Sequence, residues 1–210
     1  MPQNITRQIK AIRKQPIGLL VVLSSPSGAG KTTIANKVLK EDPNVVRAIT
    51  ATSRPKRPGE IHGKDYYFYT RKEFERLINK NHFIEWAEVH GHLYGTPRVF
   101  LEKEINSGKI VLLVIDVQGA ENITKIYPDA VLVFILPPSI KELRARLRKR
   151  NTESRESLTV RIRDAMIEYK FIHDYDYAVI NDKVSKAVTK LKGILLAEQC
   201  RVNRWINLKK

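Results

Sequence analysis

The chain has 210 residues, 42% of them hydrophobic, which suits one compact α/β domain with a sizeable core and argues against disorder. Its formal net charge of +16 points first to nucleic acid, but the excess is concentrated: residues 1–16, 141–163 and 199–210 carry +4, +6 and +4. A single cysteine, Cys200, excludes an intrachain disulfide, and no apolar run, that of residues 19–23 included, is long enough to cross a bilayer, so a cytoplasmic protein is expected.

Residues 1–16 are expected as a basic extension, with Ile5, Ile9 and Ile12 among cationic neighbours. Residues 18–24 predict a buried strand: short, continuous, apolar and bounded by Gly18. A helix is expected over 30–40, with Ile34, Ala35, Val38 and Leu39 at helical spacing, and a second strand over 45–52. Prolines, glycines and charges make 54–69 irregular; a short helix over 71–79 and a strand over 83–89 follow. Next come a helix over 97–106, a buried strand over 110–115 ending at Asp116, and a strand over 130–136 stopped by Pro137-Pro138. Amphipathic helices over 139–150 and 156–173, a strand over 177–180 and a helix over 184–200 complete the chain, with 200–210 as a solvated basic tail. Apolar strands alternating with helices predict a parallel sheet covered on both faces, and the less regular 50–95 an inserted lobe over the carboxyl ends of its strands, where such sheets bind ligands.

Between the first strand and the first helix lies Ser25-Pro26-Ser27-Gly28-Ala29-Gly30-Lys31-Thr32-Thr33. It fits the phosphate-loop pattern Gly, four residues, Gly-Lys-[Ser/Thr], except that Ser25 replaces the first glycine. Such a loop turns its backbone N–H groups onto phosphate oxygens and aims a helix N-terminus at them. Lys31 is expected to reach the β- and γ-phosphates and Thr32 to hold Mg²⁺. Ser25 fits with negative φ, leaving the tight turns to Gly28 and Gly30. Asp116, at the end of a buried strand, is placed to act on nucleotide or, through water, on metal; capping the next helix is compatible with that.

Further motifs share the chain: Thr50-Ala51-Thr52-Ser53-Arg54-Pro55-Lys56-Arg57-Pro58-Gly59-Glu60, Gly63-Lys64-Asp65-Tyr66-Tyr67-Phe68, Phe83-Ile84-Glu85-Trp86, Tyr94-Gly95-Thr96, Ile115-Asp116-Val117-Gln118-Gly119, Pro137-Pro138-Ser139 and Ile180-Asn181-Asp182. With the phosphate loop, and over about residues 18–198, they resemble guanylate kinase. The resemblance implies a phosphate-loop core (17–49, 97–140, 168–199), a GMP-binding lobe (50–96) and a helical lid (141–167). It implies ATP and GMP, and dGMP by extension, as substrates in purine nucleotide metabolism, with Mg²⁺ accompanying ATP. No obligate nucleic acid and no membrane are implied, and monomer or dimer is left open.

The resemblance further implies, residue by residue, that Arg54, Arg57, Tyr66 and Tyr94 hold the GMP phosphate and that Glu60 and Asp116 are among the other GMP-binding residues. Glu85 reads guanine with the hydroxyls of Thr50 and Thr96, Arg146, Arg150 and Arg161 are the lid arginines, and Asn181 lies near the adenine of ATP. The chemistry suits these residue types. Guanidinium forks match phosphate, and a buried carboxylate accepts from N1–H and the exocyclic amine of guanine, a pair adenine lacks. Three departures stand out: Thr50 and Thr96 where serine is usual, Asn151 where glycine is usual, and Val114 where many members carry an acid, which leaves Asp116 as the acid of that strand. The alternatives are a kinase of another nucleoside monophosphate or sugar phosphate on the same scaffold, and a non-catalytic interaction module of this fold.

Overall fold

The computed structural model describes residues 16–89, 91–149 and 155–205. Its strands are β1 (Leu19–Ser24), β2 (Val45–Arg47), β3 (Ala51–Thr52), β4 (Tyr67–Phe68), β5 (Phe83–Val89), β6 (His92–Pro97), β7 (Ile110–Val114), β8 (Val131–Leu136) and β9 (Tyr177–Ile180). Its helices are α1 (Lys31–Glu41), α2 (Arg71–Asn79), α3 (Arg98–Asn106), α4 (Val117–Ile126), α5 (Ile140–Lys149), α6 (Arg155–Glu168), α7 (Val184–Gln199) and α8 (Val202–Trp205).

Five parallel strands form the central sheet in the order β2-β7-β1-β8-β9. Every residue of β1 and β7 is buried, as strands covered on both faces require. Alternation splits β1 between two cores. Leu19, Val21 and Leu23 meet Ile34, Ala35 and Val38 of α1 and Ala187, Val188 and Leu191 of α7. Leu20 and Val22 meet Leu101 of α3 and Ala120 and Ile123 of α4. After β2 and β7 on one side of β1, the chain crosses to β8 on the other, so a crevice opens at the carboxyl end of β1.

A second, mixed sheet has the order β4-β3-β6-β5 around its own small core of Ala51, Phe74, Phe83 and Leu93. Phe74 of α2 and Phe83 of β5 stack with ring centroids 4.4 Å apart. Thr70 and Glu73 close a capping box that fixes the start of α2.

The sheets correct several sequence expectations. The strand expected over 45–52 is two: Val45–Arg47 pairs with β7, and Ala51–Thr52 with β4 and β6. The strand-like segment is continuous in sequence but changes sheets at Ala48-Ile49-Thr50. β6 was not foreseen because Gly95 and Pro97 weaken its strand signal; pairing with β5 holds it, and a Cβ on Gly95 would sit 3.0 Å from the Phe83 ring. The helix expected over 156–173 ends at Glu168 and continues as a 3₁₀ turn, Tyr169–Asp174.

The solvated-tail expectation fails at Arg204, which is buried and donates to the carbonyls of Asp129 (2.9 Å) and Gly18 (3.4 Å). The Ile17 N–H in turn donates to the Arg204 carbonyl at 2.9 Å. The basic extension up to residue 15 and residues 206–210 lie outside the described residues, as do Arg150 and Asn151.

Candidate active site

A cavity of about 270 Å³ lies at the carboxyl ends of β1 and β7. The phosphate loop and the start of α1 form one wall; Thr50, Tyr66, Glu85 and Tyr94 from the mixed-sheet segment form the other; Val114, Asp116 and Glu168 line it between them.

The loop leaves β1 through the buried Ser25, whose hydroxyl donates to the Pro26 carbonyl at 3.1 Å. The left-handed turns fall at Gly28 (φ 89°) and Gly30 (φ 97°), while Ser25 keeps negative φ, so the serine costs the loop no strain. Gly30 caps α1 without a side-chain hydrogen bond, and no acid sits in the first turn. The first N–H groups of α1 and its dipole therefore remain for an anion. Lys31 crosses the site to donate from Nζ to the Ile115 carbonyl at 3.0 Å; burial lowers its pKa, while Glu168 and Asp116 act in the opposite sense. Thr32 and Thr33 line the cavity at the exposed start of the helix.

Asp116 caps α4, its Oδ1 accepting the N–H groups of Gln118 (2.8 Å) and Gly119 (2.9 Å), so one carboxyl oxygen serves the helix and the other is left to the cavity. Asn181 sits behind the loop, outside the cavity lining. Its Nδ2 donates to the Ala29 carbonyl at 2.7 Å, and a Cβ on Gly30 would collide with that amide. Arg146 of α5 is held by Glu142 (2.9 Å) and donates to the Asn181 carbonyl at 3.1 Å, which ties α5 to the back of the loop. Arg161 lies on α6.

On the opposite wall Glu85 is 6% exposed, and its Oε1 accepts the Thr96 hydroxyl at 2.6 Å. Burial pushes its pKa up to about 7; Thr96 lowers it and Asp116 raises it further. Thr50 is buried beside the same cavity. Tyr66 and Tyr94 meet edge to face at 6.2 Å, and burial raises the Tyr66 pKa, keeping its hydroxyl a donor.

Arg54 lies over Tyr66 at 5.6 Å but does not line the cavity. Its guanidinium donates to both carboxyl oxygens of Glu60 (2.7 and 3.0 Å) and to the Pro55 carbonyl (2.6 Å). Glu60 also accepts the Arg57 N–H at 2.8 Å, so in this structure its partners are the two arginine positions. The Arg57 residue itself is exposed.

Sequence reasoning missed Glu168. It ends α6 and lines the cavity; burial pushes its pKa up to about 7, with Lys31 and the Ser27 N–H lowering it and Asp116 and Asp164 raising it. Nothing in the sequence distinguishes it from the other acids of a charged helix; only the docking of α6 brings it to Lys31.

The family model described as guanylate kinase matches residues 18–198. The guanylate kinase of Caldanaerobacter subterraneus subsp. tengcongensis is 46% identical over 194 residues, covering 92% of this chain and 93% of that protein. The guanylate kinase of Thermotoga maritima is 46% identical over 187 residues, covering 89% of this chain and 90% of its own. Among solved structures, the crystal structure of guanylate kinase from Anaplasma phagocytophilum superposes with a TM-score of 0.79 at 39% identity, covering 93% of each chain.

Proposed function

The chain belongs to the guanylate kinase family and carries out ATP-dependent phosphorylation of GMP, and we propose that the two walls of its cavity divide that reaction between donor and acceptor. The observation that carries this division is the buried Glu85–Thr96 pair facing the phosphate loop across one cavity.

ATP binds with its phosphates in the loop from Ser25 to Thr33, against the N–H groups of α1 and the Lys31 ammonium. Glu85 as carboxylate accepts the two guanine N–H groups, with the Thr50 and Thr96 hydroxyls beside it. Tyr66, Tyr94, Arg54 and Arg57 take the GMP phosphate, and dGMP fits the same contacts because none needs the ribose 2′-hydroxyl. Glu60 holds the two arginines and competes with the phosphate for Arg54. Asn181 serves ATP indirectly, by bracing Ala29 and Gly30.

The attacking oxygen belongs to a phosphate already anionic near neutral pH, so no general base is needed. Catalysis is then positioning plus neutralisation of charge on the transferred group. Lys31 supplies that charge from the loop, and Arg146, Arg150 and Arg161 from residues 141–167. These residues act as a lid: Leu143, Leu147 and Ala165 form a cluster separate from the main cores, which lets the pair of helices move as a unit.

The donor set fits Mg²⁺ held mostly by phosphates and water. The Thr32 hydroxyl and the second Asp116 oxygen are at hand, and among the described residues no group of three or more His, Cys, Asp or Glu could hold an ion alone. Bound with ATP, Mg²⁺ neutralises charge on the phosphates. Among the described residues no helix is long and apolar enough to cross a membrane. We place the enzyme in the cytoplasm, where an unpaired, exposed Cys200 remains reduced.

A coupled assay with ATP against GMP, dGMP, AMP and UMP tests the acceptor site. Turnover with GMP and dGMP, and far less with AMP and UMP, is expected; equal use of AMP would rule out Glu85 as the base reader.

A further inference from the structure

Arg47 is the last residue of β2 and took no part in the site as the sequence presents it. Its register partner is Leu112 of β7, and period-two alternation puts it on the same face as Leu112 and Val114. Val114 lines the cavity, and three residues beyond Arg47 the chain reaches Thr50, which lines it too. Arg47 is half-buried, its Nε is fully buried, and among the described residues its guanidinium has no hydrogen-bond or ion-pair partner. It acts electrostatically on two groups: Lys31 on the donor wall and the Tyr66 hydroxyl on the acceptor wall.

A guanidinium drawn partly out of water without a partner is costly, and facing a second cation, Lys31, adds to the cost. Arg54, the other arginine beside Tyr66, is neutralised by Glu60 at 2.7 Å; Arg47 has no such acid. One ligand chemistry relieves the strain from all sides: an anion with several oxygens set between Lys31 and Tyr66, which a planar guanidinium fork can meet with two hydrogen bonds. We propose that Arg47 is a further phosphate-binding residue of the acceptor site, taking the GMP phosphate where it abuts the phosphate loop. Arg47 thereby keeps the acceptor phosphate charge-balanced while Glu60 still holds Arg54. The inference rests on the placement of the GMP phosphate at Tyr66 and Tyr94.

Calorimetric titration of GMP and of guanosine into the wild type, Arg47→Met and Arg47→Lys tests it. Arg47→Met is expected to weaken GMP about 10- to 100-fold, the loss of a charge-assisted contact, and to leave guanosine within about twofold. Arg47→Lys should recover part of the loss, and in turnover the KM for GMP should rise while that for ATP holds. Methionine keeps the apolar stem and removes an unpaired charge, so the melting temperature should not fall. Unchanged GMP affinity, equal losses for GMP and guanosine, or a variant that melts several degrees lower or fails to fold each overturn the proposal, the last because it would give Arg47 a structural role. A wild type that binds guanosine as tightly as GMP would instead overturn the placement of the acceptor phosphate itself.

Discussion

Replacing Glu85 by glutamine perturbs two properties at once, and both follow from where the carboxyl sits. It is 6% exposed, and burial pushes its pKa up to about 7 from an ordinary 4.5. The folded protein therefore holds the proton more tightly than the unfolded chain. Stability from this group is fully present below about pH 4.5 and is lost as pH rises through 7, a swing of about 3 kcal/mol. Glutamine cannot ionise, so Glu85→Gln should gain stability over the wild type at pH 8, by at most that amount, and should lose this part of the pH dependence. Guanine binding runs the other way, because only the carboxylate accepts both N–H groups. Guanosine, which carries no titrating phosphate, should bind the wild type roughly tenfold more weakly at pH 6 than at pH 8, the ratio of ionised fractions about a pKa of 7. In Glu85→Gln that dependence should vanish, and kcat/KM for GMP should fall about 10²- to 10³-fold as a charge-assisted pair is replaced by a mismatched amide. Chemical denaturation and guanosine calorimetry across pH 5–8 supply both readouts. The reasoning is refuted if wild-type guanosine affinity is flat from pH 6 to 8, or if the glutamine variant keeps the wild-type pH profile.

Lys31→Met should keep the fold, since the ammonium donates to the single carbonyl of Ile115, and lower turnover at least about 10²-fold; circular dichroism with the coupled assay checks it. Asp116→Asn preserves a good cap for α4 but removes the charge, so its melting temperature should stay near wild type while the Mg²⁺ needed for half-maximal rate rises. Asp116→Ala should additionally cost about 1 kcal/mol of stability, and equal melting temperatures for the two variants would remove the capping role. Arg204→Ala should cost about 2 kcal/mol and lower the melting temperature by about 4–8 °C, with kcat and both KM values unchanged. Its carbonyl partners, at Gly18 and Asp129, lie at the amino ends of the strands, away from the cavity.

What the sequence determined by itself is what short-range physics dictates. Strands β1, β7 and β8 announce themselves as apolar runs because both their faces are covered. The loop from Ser25 to Thr33 is legible because its glycines, lysine and threonine must occupy fixed offsets between a strand and a helix. The left-handed turns at Gly28 and Gly30 were foreseen for the same reason, and the acceptor motifs around Arg54, Tyr66 and Glu85 were legible as a resemblance.

Only the tertiary structure decided matters that depend on which distant segment arrives alongside. It divided 45–52 between two sheets, because the partners of Val45 and Ala51, Ile110 and Gly95, belong to different layers. It set the Asn181 amide against the Ala29 carbonyl, 152 residues away, and Glu60 against Arg54. It drew Arg204 out of a tail that composition alone made solvent-exposed. It brought Glu168 and Arg47 to Lys31, the one from a charged helix and the other from a strand end. A charge in sequence carries no sign of its surroundings; the burial that makes these two groups matter, and the neighbours each meets or lacks, exist only once the walls of the cavity have closed around them.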